Sequence, residues 1–129
     1  MSRINGSSMG SDTFLDLKDY IEENDLSLVE SLNYIRDFHG EEGFKSMVLE
    51  GDIYGLEYYL FNTFESYLSV VLYFTETKKR VSPKHIHIAC QKAESLLKDK
   101  RYLNSFDADF SEERREYLNQ EIIFLKKYL

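Results

Sequence analysis

The sequence predicts an all-α fold, a compact bundle of five or six helices around a long hydrophobic helix at about residues 53–77. Two observations carry this expectation. Apolar residues recur with a helical period from Asp12 onward, and strand-like alternation between turn signals is missing. At 129 residues, 43% apolar and 15% aromatic, the chain has material for one ordinary core, assigned to residues 12–129. The opening MSRINGSSMGS is small and polar, with a second Met followed by Gly-Ser. It reads as an expression remnant, disordered and outside the fold.

The elements follow in order. A first helix over residues 13–24 aligns Phe14, Leu17 and Ile21 on one stripe and Asp16, Asp19 and Glu23 opposite, with Asp12 or Thr13 as its cap. Ser27 followed by Glu30 has capping-box spacing and opens a second helix over residues 28–39, which Gly40 stops. Its stripe is Leu28, Leu32, Ile35 and His39, and His39 in the last turn suits an imidazolium at the negative end of the helix dipole. A short helix over residues 42–50 ends at Gly51, and Asp52 caps the long fourth helix. That helix is apolar over more than one face, with Leu56, Leu60, Phe64, Tyr67, Leu68 and Val71 on its main stripe, and belongs at the centre. Glu57, Asn62 and Glu65 interrupt it. Because a charge near a bilayer centre costs about 2.5 kcal/mol or more, it is not expected to span a membrane. Ser82 and Pro83 open a fifth helix reaching about residue 103. After a loop, Asp109 or Ser111 begins a last helix that offers Tyr117, Ile122, Leu125 and Leu129 to the core.

The stretch VSPKHIHIAC, residues 81–90, holds two of the three histidines and the only cysteine. On a helix, His85 and His87 lie about 200° apart and cannot chelate one metal. Cys90 falls on the stripe of Ile86, Ala89, Ala93 and Leu97, where a buried thiol is the ordinary occupant. Neither metal nor cofactor is expected. The chain has no glycine-rich phosphate loop, no His-Glu-x-x-His and no Gly-x-Ser-x-Gly. One cysteine forms no internal disulfide and no apolar leader follows a basic start, so a cytoplasmic location is expected.

Arg80-Val-Ser-Pro-Lys-His85 has an R-x4-H spacing that resembles the ribonuclease motif of the HEPN family. That family is all-α and its domains are about this long. The resemblance implies metal-free RNA cleavage, with Arg80 holding phosphate and His85 transferring protons. The chain carries Val81 where the family usually has a polar residue, and Pro83 sets a helix start between the two motif residues.

Charge is distributed unevenly. Residues 12–65 hold fourteen acidic side chains against Lys18, Arg36 and Lys45, a net of −11, whereas residues 66–129 are net +3. An acidic half repels nucleic acid and attracts a basic protein by long-range steering. Acids interleave with tyrosines through Asp37, Glu41, Glu42, Glu50, Asp52, Tyr54, Glu57 and Tyr58, and tyrosine beside carboxylate is good anchor chemistry for a protein interface. The expected function is that of an acidic inhibitor, an immunity protein or antitoxin that occludes the cleft of a basic nuclease toxin. It would act as a monomer or weak homodimer with no direct contact to nucleic acid or membrane. The alternatives are the HEPN-like ribonuclease and a structural or adaptor bundle acting as a homodimer.

Overall fold

The computed structural model describes residues 6–77 and 80–129, and the fold is all-α. Seven helices form among the described residues: α1 (Asp12–Glu23), α2 (Leu28–His39), α3 (Glu41–Glu50), α4 (Ile53–Thr77), α5 (Pro83–Lys98), α6 (Lys100–Asn104) and α7 (Ala108–Lys126). None is long and apolar enough to cross a membrane.

Local chemistry explains most boundaries. Ser27 and Glu30 form the reciprocal capping box of α2, and Gly40 and Gly51 take left-handed backbone after α2 and α3 (φ 82° and 68°). Asp52 Oδ1 accepts from Gly55 N at 3.0 Å to cap α4, and Pro83 opens α5. The predicted fifth helix is two helices. Asp99 leaves helical backbone and its side chain accepts from Arg101 N and Tyr102 N, so it stops α5 and caps α6 in one step. The last helix starts earlier than predicted, at Ala108.

Helix α4 is apolar on more than one face because it separates two cores. Leu68, Val71 and Leu72 pack with Ile86, Ala89, Leu96, Tyr102, Leu118 and Leu125 of α5, α6 and α7. Val70 and Phe74 pack on the other side with Phe14, Leu17, Ile21 and Ile35 of α1 and α2. Only its second half is central, since its buried residues begin at Glu65. Leu60, expected on the buried stripe, is exposed, and Leu56 and Phe64 are half-buried. At the other end of the chain Tyr117 is half-buried and Leu129 exposed, while Leu118 and Ile122 fill the core.

The expectation that residues 1–11 stay disordered outside the fold is corrected for residues 6–11; residues 1–5 lie outside the described residues. Ser7 caps a 3-10 turn over Ser8–Gly10, and Ser11, not Asp12 or Thr13, caps α1 by accepting from Phe14 N at 3.0 Å. Ser8, Gly10 and Ser11 are buried, and a Cβ on Gly6 would meet the backbone of Glu113 at 2.9 Å, so this strap lies directly on α7.

The strap is held by charge. Arg114, fully buried on α7, donates through Nε to the Tyr102 hydroxyl at 2.8 Å and through one terminal nitrogen to Gly6 O at 3.0 Å and Ser8 Oγ at 2.9 Å. Its terminal nitrogens lie 3.5 Å from Glu65 of α4 and 3.6 Å from Glu121 of α7. Glu121 accepts from Ser8 N at 3.0 Å and Ser8 Oγ at 2.6 Å, and the Tyr102 hydroxyl donates to Glu65. The Ser69 hydroxyl, 2.8 Å from Ser8 O, completes the seam. Burial lowers the proton affinity of the guanidinium, and Tyr102, Glu65 and Glu121 more than offset it. Burial raises the proton affinity of Glu121 against the pull of Arg114 and Ser8.

Removing Arg114 takes a buried cation away from two buried carboxylates. Arg114→Met is therefore expected to lower unfolding free energy by about 3–5 kcal/mol in urea denaturation. Arg115→Ala, which breaks the exposed pair with Glu112, should change it by less than about 0.5 kcal/mol. Deleting residues 1–10 should destabilise in the same direction as Arg114→Met; a truncated chain with unchanged stability would show that the strap contributes nothing to the seam.

Candidate functional site: the α3–α4 corner

Helix α3 has no buried residue. It is tied to α4 by the Phe44 ring against Tyr59, centroids 4.6 Å apart, and by the Met47 sulfur over Gly55. The turn Gly51-Asp52 then reverses the chain within two residues, and Asp52 N donates to Met47 O at 2.9 Å. Because α3 is short and the next turn begins at once, the end of α3 and the start of α4 cannot both face the bundle. Val48 and Leu49 on α3, and Ile53, Tyr54 and Tyr58 on α4, are left in solvent, with Leu49 87% and Tyr54 84% exposed. Isolated exposed apolar side chains are ordinary; here five fall within eleven residues.

Carboxylates run from the last turn of α2 through α3 to the cap of α4. Asp37, Glu50 and Asp52 are exposed and in no ion pair among the described residues; Glu50 accepts from Ser46 Oγ at 3.4 Å, and Asp52 is occupied by capping. Glu41 and Glu42 open α3, where the helix dipole favours negative charge, and pair only loosely with Arg36 at 3.8 Å and Lys45 at 3.6 Å. Such exposed pairs are worth about 0–1 kcal/mol and exchange readily for other partners. Two acids of the first half are neutralised by later helices. Glu65 lies in the seam with Arg114, and Glu57 pairs with Arg101 of α6.

Beside the corner, α4 and α6 enclose a groove of about 350 Å³, lined by Tyr54, Glu57, Tyr58 and Phe61 on one wall and Arg101 and Tyr102 on the other. Phe61 meets Tyr102 edge-on at 5.3 Å, forming an aromatic floor. The groove exists because Asp99 breaks the helix and turns α6 back towards α4. It was not legible in the sequence, which gave no sign of the break beyond an Asp within a helical pattern.

The remaining chemistry-bearing residues are dispersed. Arg80 is exposed in the segment before α5, and His85 lies one turn inside α5 with Nδ1 3.2 Å from the Tyr67 hydroxyl. Pro83 starts the helix between them. His87 is exposed. Cys90 is buried with Ile86, Ala89 and Ala93, and burial raises its thiol above the usual range, which disfavours the reactive thiolate. No group of three or more His, Cys, Asp or Glu suited to a metal occurs among the described residues.

His39 departs from the expected imidazolium. Its Nε2 lies 2.6 Å from Ser66 Oγ on α4, and burial lowers its pKa despite the opposing pull of Glu65. Compared with protein-family models, curated proteins and solved structures, the chain finds no match.

A histidine whose folded pKa is depressed stabilises the fold above its unfolded pKa of about 6.5, and that contribution disappears as pH falls through the lower folded value. Urea unfolding should accordingly show stability declining from about pH 7.5 to about pH 5.5. His39→Gln, which keeps a polar partner for Ser66 and cannot titrate, should flatten that decline, and an identical slope in both proteins would place the titration elsewhere.

Proposed function

We propose that this protein is an inhibitor whose α3–α4 corner docks on a basic protein, in the manner of an immunity protein or antitoxin that covers the substrate cleft of a nuclease toxin. The observation that carries the reading is the coincidence at one corner of solvent-facing apolar anchors, chiefly Leu49 and Tyr54, with uncompensated carboxylates at Glu50 and Asp52. Apolar anchors supply affinity once desolvated, and the charged rim steers the encounter and selects the partner's sign. A nuclease cleft is lined with cations to hold phosphate, so a carboxylate rim occupies the same positions that substrate would.

Charge also discriminates between partners. A symmetric homodimer through this corner would set Glu42, Glu50 and Asp52 of one copy near those of the other, and like charges in a desolvated contact are costly. A basic protein meets the same rim with opposite sign. The rim supports an acidic inhibitor over a self-associating adaptor, and its sign disfavours direct contact with nucleic acid.

The test starts with the full chain as bait in its native cells, followed by titration of any basic protein recovered with it. Affinity should fall as salt rises, because the steering field is screened within about 8–10 Å. The double charge reversal Glu50→Lys and Asp52→Lys should weaken binding at least about tenfold, mainly by slowing association. Leu49→Ser should weaken it about thirtyfold by speeding dissociation, as expected of an interface anchor. Binding that survives all three changes in folded variants would overturn the proposal. So would self-association that the charge reversals strengthen, which would assign the corner to a second copy.

A further inference from the structure

The geometry points to the groove between α4 and α6 as a receptor for one arginine side chain of the basic partner, with Glu57 as its carboxylate and Tyr54 and Tyr58 as its stacking walls. This rests on the docking role proposed for the adjacent corner, and it specifies what the partner inserts. The groove opens beside the corner, since Tyr54 and Tyr58 belong to both, so a protein seated on the corner has its surface over the groove mouth.

The chemistry of the walls selects a cation. Tyrosine faces are electron-rich, and an aromatic-walled groove with a carboxylate at its edge is the arrangement that holds a guanidinium by stacking and charge together. The protein already binds its own cations this way on α4. Lys92 Nζ sits 4.2 Å from the Phe64 ring centroid and 5.2 Å from that of Tyr67. In the groove itself, Glu57 pairs with Arg101, whose side chain is 73% exposed. Arg101 thus occupies the carboxylate from the solvent side, in the way an incoming guanidinium would from the partner side. An exposed pair of this kind is weak enough to open. When the partner's arginine enters, Arg101 swings to solvent and Glu57 exchanges one guanidinium for the other. The planar fork of arginine can meet both carboxylate oxygens while lying against a tyrosine, which the compact ammonium of lysine cannot.

The experiment needs no partner protein. The full chain, with tyrosine rings labelled for NMR, is titrated with the capped tripeptide Ac-Ala-Arg-Ala-NH2 and with the same peptide carrying citrulline, which keeps the shape of arginine without its charge. The arginine peptide should shift the ring signals of Tyr54, Tyr58 and Tyr102 and bind in the millimolar range. Glu57→Gln should weaken it, and Arg101→Ala should tighten it about two- to fivefold by removing the resident competitor. Citrulline should leave the rings unmoved. Equal shifts with citrulline, shifts confined to other tyrosines, or weaker binding after Arg101→Ala would each overturn the assignment, as would stronger shifts from the corresponding phenylalanine peptide. Because the peptide reads the groove alone, its failure leaves the corner's docking role standing, and failure of the corner leaves the groove result standing.

Discussion

One guanidinium holds this bundle together. Arg114 lies where α4, α6, α7 and the N-terminal strap converge, and each contributes a group to it: Glu65, the Tyr102 hydroxyl, Glu121, and the Gly6 and Ser8 oxygens. A buried charge is tolerated only where geometry satisfies it, so the position of every one of these elements is constrained by the same point. Hydrophobic contacts alone would let a helical bundle of this size slide among similar packings; a buried charge with directional partners removes most of them. The cost is that the strap becomes part of the domain, although its composition is that of a linker.

That constraint divides α4 functionally. From Glu65 to Thr75 the helix is clamped between two cores, and most of its side chains, polar ones included, are buried. Before Glu65 it is only partly buried: Phe61 and Phe64 still reach the core, while Tyr54, Tyr58 and Leu60 are exposed. Helix α3 covers part of that projection with Phe44 and Met47, and leaves the rest open. The exposed apolar side chains are thus a consequence of where the clamp ends, and they lie beside the carboxylates of Glu50, Asp52 and Glu57. The base is thus the well-packed part of the domain, and the projection is thinly packed, charged and aromatic.

Helix-level organisation was legible in the sequence wherever local chemistry decides it. The Ser27 and Glu30 box, the glycine stops at 40 and 51, the Asp52 cap and Pro83 were read correctly because each acts within one turn of chain. What escaped depends on partners distant in sequence. Arg114 stands in the run Glu112-Glu113-Arg114-Arg115-Glu116, which has the composition of a solvated face, and nothing local marks one of its five charges as the centre of the fold. The Gly-Ser strap carries little apolar signal because, apart from Met9, its contribution is made by backbone and hydroxyl groups. Leu60 matched the buried period of α4, yet the bundle ends before reaching it. In the candidate site, the charges and tyrosines were visible as composition, whereas the groove required α6 to turn back at Asp99.

The division between clamped base and projecting corner is open to direct measurement by native-state amide hydrogen exchange on the full chain. Amides in residues 66–75 of α4 and 114–125 of α7 should exchange only through global unfolding, while those of α3 exchange through local opening at far lower free energy. Protection of α3 equal to that of residues 66–75, or faster exchange around Arg114 than in α3, would contradict a fold organised about the buried guanidinium.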